Sequence, residues 1–475
     1  MATTGIKGHK VTSLAKVRSR IVGVNQPVPV LSGAKKPYIF FDNAASTPVL
    51  QEVLDCVNQF MPWYSSVHRG SGFKSQVATK AYEDAREVVG KFFGANKRDH
   101  VVIFGKNTTE AINKLSYRLG LSKDDVVIIS MMEHHSNDLP WRQVATVKRI
   151  KVDSAGHLIE SDLDELLAKY GNRVKLISIT GGSNVTGQLT DIHRIAKKAH
   201  AVDAKIMIDA AQLAPHRQIE MKDLDDPEHL DYITISAHKM YAPFGTGALI
   251  GRRDTFESGV PELCGGGTID LVTTGRVEWT APPDRDEAGT PNVVGAVALA
   301  KALQTLASIS MRQISAHEAE LTSYALAKLN KIADIEVLGD KNPANAEFRL
   351  GVIPFKVNKL ASGLAAAILS TEYGIGVRSG CFCAHPYVTG LLDLPSEDIE
   401  KFRGEVIAGD RSHMPGVIRI SFGMYNTKEE IDVLASALEQ IVKGNYYQNY
   451  NIDKSTGDYH AAGWEPRLDT AFSLL

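Results

Sequence analysis

Five short apolar runs, at residues 101–104, 126–130, 174–180, 206–209 and 232–235, recur between longer stretches of helical period such as 190–202. Runs of this length, rich in Val and Ile and lacking polar alternation, belong to strands buried on both faces. Strands of that kind alternating with helices form a mainly parallel sheet with crossover helices, so the expected fold class is α/β. Ligands of such sheets sit outside the carboxyl ends of the strands. The residues that follow each run are therefore the candidates for chemistry.

Two of those strand ends carry a matched pair. Ser236-Ala237-His238-Lys239 follows the last run, thirty residues after Asp209 closes the run before it. A lysine amine condenses with an aldehyde, and an aspartate holds a pyridinium nitrogen protonated, which together suggest pyridoxal 5'-phosphate used as an electron sink. A lysine after a strand is common in any long enzyme, so the pair gains weight from the other segments that suit the same ligand. Gly105-Lys106-Asn107-Thr108-Thr109-Glu110 is a glycine-opened turn between a strand and a helical run, where free backbone N–H groups bind a phosphate; an ordinary N-cap by Asn107 or Thr108 shares that geometry. Ser236 and His238 add a hydroxyl and an imidazole. Glu133-His134-His135 follows the second run, where an imidazole can stack on a ring or shuttle protons. Asn184, in Ser183-Asn184-Val185-Thr186-Gly187, brings an amide after the third run, and Gln212 lies at helical spacing from Asp209 if a helix starts there.

A second group occupies Val377-Arg378-Ser379-Gly380-Cys381-Phe382-Cys383-Ala384-His385-Pro386. Arg378 can grip a carboxylate through paired hydrogen bonds, and Cys383 can act as a nucleophile where its thiolate is favoured. A metal reading of the two cysteines and the histidine lacks the second cysteine pair that would complete a tetrahedral set, so no metal is expected there. Cys381 reads as a small buried residue. In an extended strand the spacing of two would turn both thiols the same way.

Composition narrows the partners. The 475 residues carry 53 basic against 55 acidic side chains, a net charge of −2 that leaves no electrostatic footprint for nucleic acid or an anionic membrane. Four cysteines in a chain this long make no disulfide framework and suit a reducing cytoplasm. No apolar stretch long enough to span a bilayer is legible, nor a secretory leader. Residues 1–41 hold seven Lys and Arg and no acidic residue, which resembles a transit peptide, but prolines interrupt 22–30 and the segment runs into the strand-like 38–41, favouring a structural arm. The expected organisation is an N-terminal arm (1–37) packing with a small domain, a large cofactor domain (38–300), a small C-terminal domain (301–443) bearing the Arg378–Cys383 segment, and an extension (444–475) wrapping the surface.

These segments resemble the class V, fold-type I pyridoxal-phosphate enzymes, in particular the cysteine desulfurase and selenocysteine lyase branch. The resemblance rests on Phe41-Asp42-Asn43-Ala44-Ala45-Ser46-Thr47-Pro48, Thr108 to Asn113, Met132 to Asn137, Ser183 to Gly187, Asp209-Ala210-Ala211-Gln212, Ser236 to Lys239, Glu287 to Asn292, Arg378 to Pro386 and Arg419 to Thr427, all in the family's order. It implies a large mainly parallel-sheet domain with a smaller α+β domain. It also implies that Lys239 holds pyridoxal 5'-phosphate and later moves protons, Asp209 pairs with the pyridine nitrogen and His134 stacks on the ring. Gln212 and Asn184 would lie near the ring hydroxyl, and Thr108, Thr109, Ser236 and His238 would hold the phosphate. Thr290 would reach the phosphate of a neighbouring subunit, which implies a homodimer. Arg378, with Asn184, would bind the substrate carboxylate, with Arg419 a second basic contact. Cys383 aligns with the persulfide-forming cysteine.

The implied reaction takes sulfur from L-cysteine, or a similar small amino acid, leaves L-alanine, and passes the sulfur from Cys383 to an acceptor that is expected to be a protein. Cys381 and Phe382 stand where common desulfurases of the branch carry histidines, and Gly-Cys-Phe-Cys also resembles the desulfurase-type domain of molybdenum cofactor sulfurases. Two other readings are weighed against this one. A related lyase, epimerase, aminotransferase or selenocysteine lyase would use Lys239 and Asp209 without Cys383, and a cofactor-less scaffold in sulfur trafficking would use neither.

Overall fold

The computed structural model describes residues 16–474; Lys7 and Lys10 of the basic arm lie outside them. The apolar runs form strands with nearly the expected bounds: β1 (His100–Gly105), β2 (Val126–Ser130), β4 (Val174–Thr180), β5 (Lys205–Asp209) and β6 (Tyr232–Ser236). They join β3 (Thr146–Ile150) and β7 (Gly247–Arg252) in one seven-stranded sheet, ordered β1-β7-β6-β5-β4-β2-β3. Every residue of β2 and β6 is buried, the consequence of helices covering both faces. β2 to β6 run parallel, whereas β7 is antiparallel to both of its neighbours. The chain is thus of the α/β class.

β7 starts with a glycine for a steric reason. A Cβ on Gly247 would lie 2.5 Å from the Ile235 carbonyl oxygen and 2.6 Å from Asn107 Cα. The strand therefore passes directly beneath the turn that opens the helix Thr108–Arg118.

The helical stretch near residue 300 is two helices, Val293–Ile309 and Met311–Leu329, meeting at 76°. Ser310, at φ +84°, makes the break. The first helix is apolar because it is nearly enveloped, packing on Gln51–Phe60 and Phe73–Phe92. Beyond it a four-stranded antiparallel sheet, β8 (Ile335–Val337), β9 (Val352–Val357), β10 (Arg378–Gly380) and β11 (Val417–Ser421), takes the order β8-β9-β11-β10. Ile353, Phe355, Ile418 and Ile420 of this sheet pack with Leu369 and Leu434 in a separate core.

Residues 41–47 stitch the two sheets together. Asn43 Nδ2 donates to the Ser421 carbonyl at 2.9 Å, and the Ala44 amide donates to Ser421 Oγ at 2.9 Å. On the other side the Thr47 amide donates to the His238 carbonyl at 2.8 Å. The N-terminal segment adds an ion pair from Arg18 to Glu430 at 2.8 Å. The C-terminal residues form a hairpin, Tyr450–Ile452 with Tyr459–Ala461, tied to Glu372 by the Tyr450 hydroxyl at 3.0 Å.

Candidate functional site

The cavity at the carboxyl ends of β4, β5 and β6 holds about 260 Å³ and is lined by side chains from both sheets. Its floor is the Ala237–Lys239 turn, which leaves β6 in a single 3-10 turn, and Asp209 at the end of β5. Lys239 and Asp209 both face the cavity. Burial lowers the Lys239 ammonium to about 8, although the Asp209 carboxylate opposes the shift. Burial raises the Asp209 carboxyl, against the pull of the Ala211 amide and Lys239. A cation placed against Asp209 would reverse that shift.

One end of the cavity is built to receive an anion. Asn107 caps the helix Thr108–Arg118 by accepting from the Glu110 amide at 3.0 Å. The Thr108 amide donates to Ser236 Oγ at 2.9 Å, and Ser236 Oγ donates to Thr108 Oγ1 at 3.0 Å. Thr109 Oγ1 lies 2.7 Å from Ser136 Oγ. The first turn of an eleven-residue helix thus presents amides and the hydroxyls of Thr108 and Thr109, joined by those of Ser136 and Ser236, the geometry that stabilises phosphate. His238 lines the same end, kept neutral by burial and by Lys239, which lower it to about 4.

His134 stands over the middle of the cavity with its tautomer fixed. The Ser136 amide donates to its Nδ1 at 3.1 Å, so the neutral ring carries its proton on Nε2. Burial and Lys239 push its pKa down to about 3, which keeps it uncharged. Beneath it Glu133 is buried and raised to about 8, while accepting from Asn137 Nδ2 at 2.6 Å and the Thr180 amide at 3.0 Å. Gln212 also reaches the cavity, its amide donating to the Ala44 carbonyl at 2.6 Å. No regular helix starts at Asp209; residues 211–216 form turns, in which the Ala214 amide donates to the Ala210 carbonyl at 2.8 Å.

Cys383 enters from the small sheet on a bent loop, not on an extended strand. β10 ends at Gly380, and Phe382 and Cys383 take φ of +53° and +55°. Two consecutive left-handed residues without glycine cost about 1–3 kcal/mol each. Three anchors hold them: Asn184 Nδ2 donates to the Phe382 carbonyl at 2.8 Å, the His135 amide donates to the Cys383 carbonyl at 2.7 Å, and Cys381 Sγ donates to the Pro415 carbonyl at 3.0 Å. The two thiols consequently part company. Cys383 is exposed and faces the cavity, whereas Cys381 is buried, with burial raising its thiol to about 11.

Arg378 and Arg419 are register partners on β10 and β11 and share one carboxylate. Arg419 is buried; it donates to Asp42 Oδ1 at 2.8 Å and to the Asn184 carbonyl at 2.9 Å, and its guanidinium lies 4.6 Å over the Phe382 ring. Its Nε has no hydrogen-bond partner. Arg378 is exposed and reaches Asp42 Oδ2 only at 3.6 Å. Arg419 is thus the better-fixed of the two basic groups, and Asp42 and Ser136 brace or line the site without having been given a role by the sequence patterns. Their signal lay only in the motifs around them, since a carboxylate between two arginines is set by strand pairing. Thr290 does not enter this cavity; it lines a separate hollow of about 250 Å³ with Lys106, Lys114 and Leu263.

The cavity joins an amine, a buried carboxylate, an anion cup, a guanidinium and a thiol, the equipment of an enzyme that works on amino acids through an aldehyde cofactor. The Aminotransferase class-V family model matches residues 39–434, and the chain belongs to that family. It is 33% identical over 412 residues to a cysteine desulfurase of Haloferax volcanii, an alignment covering 85% of this chain and 89% of that one. A probable cysteine desulfurase of Streptomyces coelicolor is 33% identical over 416 residues, covering 85% and 92%. Among solved structures, the apo cysteine desulfurase of Thermococcus onnurineus superposes with a TM-score of 0.77 at 30% identity, covering 94% of this chain and all of that one. An Escherichia coli cysteine desulfurase in its S-sulfonic acid form gives 0.73 at 27% identity, covering 91% and 99%.

Proposed function

We propose that the protein is a pyridoxal 5'-phosphate-dependent cysteine desulfurase that converts L-cysteine to L-alanine and keeps the sulfur on Cys383. The observation that carries the reading is the single cavity in which Lys239, Asp209, His134, Arg419 and Cys383 meet, although they come from two sheets. The residues fit the cofactor: a helix start ringed by hydroxyls for its phosphate, a carboxylate for its pyridine nitrogen, and an amine with a lowered pKa for its aldehyde. When bound there, the cofactor supplies an electron sink for charge released at the substrate Cα.

The protein's own groups do the rest. Thr108, Thr109, Ser236 and His238 hold the phosphate, His134 stacks on the ring, and Asn184 and Gln212 border it. Arg419, whose Nε is unpaired, and the more exposed Arg378 take the substrate carboxylate. Lys239, with a pKa near working pH, removes the α-proton and later returns it to that carbon, and a second proton, equal to the one Cys383 gives up on ionising, goes to the carbon that loses sulfur. The Cys383 thiolate attacks the substrate sulfur; an S–S bond forms as the C–S bond breaks, and its electron pair stays with the carbon skeleton.

The same reading takes the protein as a cytoplasmic homodimer in which Thr290 reaches the partner subunit's phosphate cup. Support comes from the exposed apolar Leu263, which lines the hollow beside Thr290. A protein acceptor for the sulfur suits the exposure of Cys383. Among the described residues no single helix is long and apolar enough to cross a membrane. The test supplies L-cysteine and a reductant and quantifies sulfide and alanine together. Equal amounts, both lost in Cys383→Ser, support the reading; pyruvate in place of alanine, or full turnover of the variant, refutes it.

A further inference from the structure

His134 is carried by a segment with little regular structure of its own. Between the end of β2 and the helix Leu139–Val144 the chain makes a single 3-10 turn, His135–Asn137. A turn of three residues has too few backbone bonds to fix a neighbouring side chain. The Asn137 amide donates to the His134 carbonyl at 2.8 Å, and the Ser136 amide to its Nδ1 at 3.1 Å. The imidazole therefore stands wherever residues 133–137 are held.

Glu133 does the holding. It is buried and, unlike His134 and Ser136, does not line the cavity. Its Oε1 accepts from the Thr180 amide at 3.0 Å, from the Ser130 amide at 3.3 Å and from the Ser130 hydroxyl, which pins the segment to the carboxyl ends of β2 and β4. Its Oε2 accepts from Asn137 Nδ2 at 2.6 Å. The Asn137 amide cannot turn round, because its Oδ1 accepts from Trp141 Nε1 at 2.9 Å and from Ser178 Oγ at 2.6 Å, and an indole N–H only donates. Four donors thus converge on the two oxygens of Glu133. That arrangement suits the ionised carboxylate and opposes the upward push of burial and of the nearby Asp209 charge.

A carboxylate is costly to bury and is needed only where both oxygens must accept. An amide in its place meets a donor in either orientation: its NH2 group faces Asn137 Nδ2 in one, and the Thr180 and Ser130 amides in the other. We propose that Glu133 is a positioning residue for the cofactor, which, acting through Asn137 and the ends of β2 and β4, holds the His134 imidazole flat against the pyridine ring. The inference rests on the stacking of His134 proposed above. Support of this kind from behind keeps a functional side chain in one geometry at no cost to the shape of the cavity.

The test reconstitutes each protein with pyridoxal 5'-phosphate and records the visible circular dichroism per bound cofactor, together with the cofactor dissociation constant. The free cofactor is achiral, so the band reports how the site holds the ring, which a loss of stability alone leaves unchanged. Glu133→Gln is expected to weaken the band and to raise the dissociation constant about ten-fold, the size of one buried hydrogen bond left unmade. Asn137→Asp, which sets two carboxylates face to face, should do the same. In the double variant Glu133→Gln/Asn137→Asp the new amide donates to the new carboxylate, the bond re-forms with its direction reversed, and band and constant should return to within about two-fold of the parent. A full band in Glu133→Gln, or a double variant no better than the single ones, overturns the brace. His134→Ala separates the two readings: a weak band there beside a full band in Glu133→Gln refutes the brace alone, whereas a full band in His134→Ala refutes the stacking and the brace with it. Should the single variants fail to fold, the double variant decides, since a folded protein with the parental band agrees with the brace and an unfolded one, or one without the band, contradicts it.

Discussion

Removal of Asp42 tests the electrostatics of the cavity wall. Arg378 and Arg419 sit opposite each other on paired strands, where like charges repel, and Asp42 is the carboxylate between them. The Arg419 side chain is 3% exposed and Asp42 16%. Asp42→Ala therefore leaves a buried guanidinium without its counter-ion, at a cost of about 3–5 kcal/mol, with the lower end favoured by the residual exposure of Asp42. If the whole chain melts together, an unfolding entropy of about 2.1 cal/mol/K per residue converts each kcal/mol into roughly 1 °C, so the melting temperature should fall by about 3–5 °C. A carboxylate ligand should restore the missing charge. Differential scanning fluorimetry with and without saturating L-alanine then gives a larger ligand-induced shift for Asp42→Ala than for the parent. An unchanged melting temperature, or equal shifts for both proteins, would refute the argument that Arg419 is held ready by Asp42 for a substrate carboxylate.

Further predictions concern single groups. Because the Lys239 ammonium is lowered to about 8 and only the free amine attacks an aldehyde, the rate at which apoenzyme takes up pyridoxal 5'-phosphate should rise about ten-fold per pH unit below 8 and level off above it; a flat rate from pH 6.5 to 8.5 counts against the shift. Gly247→Ala drives a Cβ into the Ile235 carbonyl and the Asn107 backbone, so it should cost about 1–3 kcal/mol of stability and weaken cofactor retention; a variant that holds cofactor like the parent excludes the close approach as a constraint. Cys381→Ala removes one sulfur-to-carbonyl contact and should leave sulfide release unchanged, whereas a ten-fold loss would mean that sulfur passes through Cys381.

Much of the large sheet was legible because its parallel strands are buried on both faces, which forces unbroken apolar runs such as 126–130. The runs also located Asp209, Ser236 and Lys239, since chemistry at strand ends is a property of the topology. β3 escaped because it is an edge strand whose Thr-Val-Lys-Arg-Ile sequence is half exposed, and β7 because glycines stand at two of its six positions. The Cys381–Cys383 geometry was hidden for another reason. Spacing alone assumes extended backbone, but Asn184 and His135, from distant segments, hold Phe382 and Cys383 left-handed and turn the thiols apart. The Asp42 bridge likewise depends on which residues β10 and β11 place opposite each other, information that exists only after the strands pair.

The central claim is that Cys383 receives the sulfur. The most direct measurement mixes holoenzyme with one equivalent of L-cysteine in the absence of reductant, quenches with an alkylating agent, and maps the protein by peptide mass spectrometry. The account predicts one added sulfur atom on the peptide containing Cys383, fragmented to that residue, together with one equivalent of alanine. Alanine formed with Cys383 unmodified, or the added sulfur on Cys381, Cys264 or Cys56, would contradict it.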